Sequence, residues 1–160
     1  MQQNYGTIHI RPSMKQFVIK ELPMLAMCVA LLCGMLVVDS GIRSILLLLL
    51  LFALCALMAR LLSFRRISFT ITGQQIVSEH GLLNHSSDYI ELYRVVDFRE
   101  SRTPMQQLCG LKTVSIYSGD RTTPKLDIFG IRNDINLVSY IRTRVEVNKR
   151  MKGVYEITNR

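Results

Sequence analysis

Two histidines, His80 and His85, bracket the turn GLLN and stand close enough in the chain to pose as a pair of metal ligands. A zinc site needs a third and fourth donor at defined spacing, and none follows, so the pair is expected to be solvated turn residues. Ser86, Ser87 and Asp88 adjoin His85, yet no nucleophile elbow or oxyanion motif accompanies them, and they read as the polar shoulder of a hairpin. Glu91, Asp97 and Glu100 alternate with Arg94, Arg99 and Arg102, a mixture expected to form surface pairs worth little individually. Neither GxxxxGK[ST] nor GxGxxG occurs to cradle a nucleotide phosphate. Cys28, Cys33 and Cys55 lie inside apolar runs and Cys109 stands alone, with no CxxC pair, so neither a disulfide framework nor a thiolate zinc site is expected. No enzyme, cofactor or metal is expected.

The elements that hold these residues explain the missing chemistry. Leu22 to Val38 carries no charge, and at about 1.5 Å per residue its helix is roughly 25 Å long, marginal for a bilayer core; Phe17, Val18 and Ile19 can lengthen it, and Pro23 suits a first helical turn. Ile45 to Leu62 is the stronger span, broken only by Arg60, which is expected to snorkel to the headgroups. Residues 39–44 leave room for only a turn, so the two spans must be antiparallel neighbours. Ala26, Ala30 and Gly34 recur every four residues and are expected to pack helix against helix at the hairpin seam.

The formal net charge of +8 on 160 residues has a topological meaning first. Arg11, Lys15 and Lys20 precede the first span with no acid among them, and Arg60, Arg65 and Arg66 close the second, whereas the turn balances Asp39 against Arg43. Both flanks are basic, and the positive-inside rule places both termini in the cytoplasm. No basic run is interleaved with aromatics, which argues against nucleic acid. Arg60, Arg65 and Arg66 are expected to touch anionic lipid non-specifically, at about 1 kcal/mol per residue near the surface.

From residue 67 the pattern turns to alternation, with Ile67, Phe69 and Ile71 on one face and Ser68, Thr70 and Thr72 on the other. Further strands are predicted over residues 76–80, 113–117 and 125–131, and over 89–92 and 94–100 as two strands or one bent strand. Thr103 to Gly110 reads as a short helical turn that Pro104 can begin and Gly110 can end, and Asn133 or Asp134 caps a helix with Ile135, Val138, Ile141 and Val145 on one face. Phe69, Ile71, Val96, Phe98, Val114 and Ile116 are expected to point inward beneath Ile135, Val138 and Ile141. The chain thus divides into an N-terminal segment (1–20), a transmembrane hairpin (21–63, spans 22–38 and 45–62), a mainly β domain (64–147) and a basic, mixed tail (148–160).

Strands closed by one amphipathic helix describe a small open barrel, and residues 66–144 resemble the bacterial pleckstrin-homology-like domains of membrane-flanked proteins. The resemblance is carried by ISFTITGQQIVSEHGLL, YIELYRVVDFRESRTPMQQLCGLKTVSIYS and KLDIFGIRNDINLVSYI, and the paired spans ahead match that family's architecture. It implies an open barrel of about seven strands closed by a C-terminal α-helix. Phosphoinositide-binding relatives cluster Lys and Arg at the first hairpin turn, but here Thr72, Gly73, Gln74 and Gln75 carry no charge, so the fold is passed on without the phosphate site. The expected function is a membrane-anchored, non-enzymatic interaction or scaffold module of the bacterial inner membrane, a homo-oligomer or a subunit with other membrane proteins. A sensor of lipid or a small ligand, and an accessory subunit of a transport or secretion apparatus, are the alternatives. Protease added outside intact spheroplasts is expected to leave a C-terminal tag uncut; its digestion beside an intact cytosolic control would reverse the topology.

Overall fold

The computed structural model describes residues 6–81 and 86–153. The chain opens with a short strand, β1 (Ile8–Ile10), and then leaves the barrel for two long helices, α1 (Met14–Gly34) and α2 (Ser40–Arg65). It returns as β2 (Ser68–Ile71), β3 (Gln75–His80) and β4 (Ser86–Glu91), turns through one 3-10 turn at Leu92–Arg94, and continues as β5 (Val95–Ser101). A one-turn helix, α3 (Pro104–Leu108), leads to β6 (Leu111–Ser118) and β7 (Lys125–Arg132), and α4 (Leu137–Met151) closes the fold. The strands form two antiparallel sheets, β1-β2-β3-β4 and β5-β6-β7, which do not join into a closed cylinder.

The seven strands of these sheets include one drawn from ahead of the hairpin. Ile8, His9 and Ile10 stand opposite Ile71, Thr70 and Phe69, so part of the N-terminal segment belongs to the β-domain. Both ends of the helical hairpin are therefore stitched to one sheet edge. The helices are 21 and 26 residues long, about 31 and 39 Å at the usual rise, and both are long and apolar enough to cross a bilayer. Leu32, Leu48, Leu51 and Phe52 are among the large apolar side chains they leave exposed, so they are not core helices of the barrel.

The helix boundaries differ from the hydropathy reading. α1 begins eight residues earlier than the apolar run, at Met14, because Ser13 in extended conformation ends the chain's departure from β1. Pro23 is accordingly interior to α1 and not in its first turn. α2 starts at Ser40 with Asp39 as its N-cap residue, so residues 40–44 belong to the helix and the link between helices is only Met35 to Asp39.

The barrel core contains Phe69, Ile71, Ile76, Ile90, Leu92, Val114, Ile116, Ile128 and Ile131, covered by Leu137, Ile141 and Val145 of α4. Val96 is a correction: its side chain is 68% exposed, and Val95 fills the core in its place. The register between β5 and β6 slips between Val95 and Asp97, and a bulge of this kind reverses the face of the residue it contains. Phe98 is half-buried against the core. Ile135 is likewise exposed, because α4 is capped by Asn136, later than Asn133 or Asp134; those two lie in the turn after β7, where Asn133 donates its N–H to the Gly110 carbonyl. Val138 packs half-buried against the core, and α4 runs on past Glu146 into residues assigned above to the tail.

One polar group sits at the centre of this apolar closure. Arg144 is fully buried on the inner face of α4, between Ile141 and Val145, and its guanidinium donates to the carbonyls of Thr72 (2.9 Å), Ile71 (3.2 Å) and Gly6 (2.6 Å). It also lies 4.4 Å from the Tyr140 ring centre and hydrogen-bonds the Tyr140 hydroxyl. A turn further on, Asn148 donates to the Gly73 carbonyl at 2.7 Å. These two side chains bind α4 to the first hairpin turn through backbone oxygens that burial would otherwise leave without partners.

In urea unfolding of the detergent-solubilised chain, Phe69→Ala is expected to cost about 3–5 kcal/mol. Val96→Thr is expected to stay within about 0.5 kcal/mol, because the side chain it changes faces solvent. Equal losses at the two positions would contradict the bulge.

Candidate functional site

The place where the hairpin enters the barrel carries most of the features that bear on function. Four aromatic rings run through it: Phe17 of α1 packs on Phe64 of α2 at 5.4 Å between ring centres, Phe64 on Phe129 of β7 at 6.3 Å, and Phe129 edge-on against Phe69 of β2 at 5.9 Å. Offset and edge-to-face pairs of this kind add about 0.5–1.5 kcal/mol each beyond the area they bury. The row joins helices and barrel into one packed unit.

Backbone and amide contacts reinforce that row. Ser13 donates its N–H to the Gly130 carbonyl at 3.0 Å, so the start of α1 lies on β7. Gly130 adopts φ +68°, and a Cβ built there would stand 2.8 Å from Gln16 Cβ, closer than side-chain carbons approach. Only glycine meets both demands. Gln106 of α3 forms a reciprocal capping box with Thr103 and then donates its Nε2 to Gln16 Oε1 and Thr113 Oγ1, each at 2.9 Å. One buried amide thus caps α3 and ties it to α1 and β6 together.

The arginines expected at a membrane surface divide into two groups. Arg60 is engaged within the hairpin: its guanidinium meets Glu21 of α1 at 2.8 Å, and the Glu21 side chain is 5% exposed against 60% for Arg60. The pair crosses the hairpin at the boundary between charged and apolar sequence on both helices. Arg65 and Arg66 are exposed at the end of α2. Arg11 joins them from the link between β1 and α1, and with Pro12, Met14, Phe64, Arg65 and Ile67 it lines a cleft of about 350 Å³ at the hairpin's root.

Of the small-residue stripe, the structure brings only Gly34 to the second helix, where its Cβ position lies 3.7 Å from Leu46 Cδ1. Ala26 and Ala30 are exposed and lie off the seam. The seam itself follows Phe17, Glu21 and Cys28 on α1, with Ala53 and Phe64 on α2. A Glu21–Arg60 pair and a Phe17–Phe64 pair at its barrel end set the helix faces, and the alanines follow from that rotation.

The remaining chemical candidates disperse. His80 is exposed at the end of β3, 3.8 Å from Asp88 through Nδ1, while His85 lies outside the described residues. Among the described residues, no three His, Cys, Asp or Glu side chains gather as a metal set. Glu100 pairs with the buried Lys112 at 2.9 Å, and Arg94 reaches Asp120 at 3.5 Å and Glu91 at 3.8 Å. Ser115, Asp127 and Lys125 line up as hydroxyl, carboxylate and amine, with the Ser115 Oγ donating to Asp127 at 2.5 Å. Burial pushes the Asp127 carboxyl up, but hydrogen bonds from Ser115 and Lys125 outweigh it and hold it below the usual carboxylate range. A carboxylate so held is a weak base for that hydroxyl. The first hairpin turn is occupied by its own contacts: Thr72 Oγ1 accepts from Gln75 N–H at 3.1 Å, and α4 takes the carbonyls of residues 71–73.

Sequence reasoning passed over β1, Glu21, Gln106 and Arg144. The alternation Ile8-His9-Ile10 was a signal for the first, and an arginine at a position where α4's apolar period demands a core residue was a signal for the last. Nothing local marks Gln106 as the bridge to Gln16, ninety positions away.

The family model described as the bacterial PH domain matches residues 17–145, which take in α1 from Phe17 onward, all of α2, the strands β2 to β7 and α4 as far as Val145. The chain therefore belongs to the bacterial PH domain family, a class of binding and interaction domains. β1 lies ahead of the matched stretch. No curated protein and no solved structure matches the chain.

Gly130→Ala is expected to lower stability by more than the roughly 1–2 kcal/mol of the backbone strain alone. Gly110→Ala serves as control, since Gly110 has φ +69° with nothing within 4 Å of its Cβ position. Melting curves in detergent compare the two; equal shifts would mean that the Gln16 contact carries no weight.

Proposed function

We propose that this protein is a membrane-anchored, non-enzymatic interaction module, with its hairpin in the bacterial inner membrane and its termini and barrel in the cytoplasm. The observation that carries it is the insertion of the hairpin between β1 and β2, locked by the Phe17, Phe64, Phe129 and Phe69 row. Two helices with apolar flanks exposed along their length need an apolar solvent, and a bilayer is one. The packed junction then holds the barrel at a set height and attitude over the lipid. A surface presented in that way suits contact with neighbours in the same membrane, because confinement to a plane raises effective concentration and makes weak contacts sufficient.

The outer strands of two open sheets supply edges for such contacts, whether with other membrane proteins or with further copies of this chain. Scaffold or assembly subunit is the role that follows. Native mass spectrometry of the full-length protein after mild detergent extraction is expected to find a homo-oligomer or a retained partner. A strictly monomeric species with no partner would leave the assembly role without support.

A further inference from the structure

We propose that the cleft at the root of the hairpin is a binding site for one anionic phospholipid, whose phosphate sits between Arg11 and Arg65 while one acyl chain descends along α1. The site rests on the membrane-anchored reading above and lies apart from the Thr72–Gln75 turn. Its walls are Pro12, Met14, Phe64 and Ile67, with the two arginines as the only charged lining residues. Among the described residues, Arg11 and Arg65 make no hydrogen bond or ion pair through their side chains, whereas Arg60 is engaged by Glu21. Two guanidinium groups beside an apolar wall, with no acid lining the cleft, suit a phosphate diester that carries hydrocarbon.

Depth agrees with that chemistry. The Glu21–Arg60 pair marks where uncharged sequence begins on both helices. Phe64 follows Arg60 by one turn and Met14 precedes Glu21 by two, which places the cleft roughly 6–10 Å outside the pair. The headgroup layer of a bilayer extends roughly 5–8 Å beyond the hydrocarbon, which takes in the inner part of the cleft and leaves its outer end at the water boundary. From the cleft, Met14, Val18 and Leu22 recur every four residues on one face of α1, each between 44% and 49% exposed. They form a continuous apolar track from the arginines into the hydrocarbon, along which an acyl chain lies.

The test uses the full-length protein. Alkaline carbonate extraction of membranes first establishes anchoring, so that failure of the anchor and failure of the site are separate results. The protein is then reconstituted in nanodiscs of phosphatidylcholine containing a minor fraction of phosphatidylglycerol, and lipids retained on release are counted by native mass spectrometry. Wild type is expected to retain one phosphatidylglycerol per chain with at least about tenfold preference over phosphatidylcholine. Arg11→Gln with Arg65→Gln is expected to abolish that preference, and Arg121→Gln, on the loop between β6 and β7, to leave it intact. Met14→Glu, which puts a carboxylate in the cleft, provides a second route to the same loss if the double variant does not fold. Equal retention of both lipids by wild type, preference surviving in the double variant, or loss in Arg121→Gln would overturn the site. Displacement of the lipid by inorganic phosphate alone at comparable concentration would assign the arginines to free phosphate and overturn the lipid assignment.

Discussion

The pairing of β1 with β2 is the contact on which the rest depends. Ile10 stands opposite Phe69, so the residues that launch α1 and those that receive the chain from α2 are held side by side by a backbone ladder. A hairpin whose two ends are fixed in this way cannot pivot on a single linker. The aromatic row then fixes its tilt, and Gly130 allows α1 to lie on β7 without a side chain between them. Even the composition of the hairpin seam follows, since the pairing of Glu21 with Arg60 is reached only when both helices leave the barrel at these rotations.

The opposite end of the β1–β2 pair depends on Arg144. A guanidinium buried among isoleucines would be costly if left unmet, but its donors find the carbonyls of Gly6, Ile71 and Thr72, which are themselves the open ends of β1 and β2. Charge and backbone thus satisfy each other. The first hairpin turn is engaged on its carbonyl side by α4, through Arg144 and Asn148.

Much of this was legible from residue patterns, and the exceptions share a physical cause. The alternation in β2 and β6, the uncharged runs, and the Pro104 and Gly110 brackets around α3 are local signals and led to the right elements. Val96 was placed inward because alternation presumes an unbroken ladder, and a bulge shifts the parity without leaving a mark in composition. The alanine stripe was assigned to the seam because small residues permit close approach, yet helix rotation was decided by Phe17 and Glu21, whose partners are contributed by the far end of α2. β1, three residues long and followed by Arg11 and Pro12, has no stability of its own and exists through a partner some sixty positions away. Where a residue's role was set by long-range contact, sequence pattern alone could not locate it.

The placement of β1 ahead of the hairpin also imposes an order of events during synthesis. The first strand leaves the ribosome with nothing to pair against, and its partner appears only after both long helices have been made. In the proposed topology β1 waits in the cytoplasm while the hairpin inserts, and the sheet closes only if the second helix brings the chain back to the side it left. A chain that crossed once, or crossed the wrong way, would strand β1 across the bilayer from β2, leaving the barrel with an unpaired edge and Arg144 without the Gly6 carbonyl. Correct insertion and a complete barrel are therefore one condition, and a misinserted copy exposes its own defect to the proteases and chaperones that survey unfolded chains.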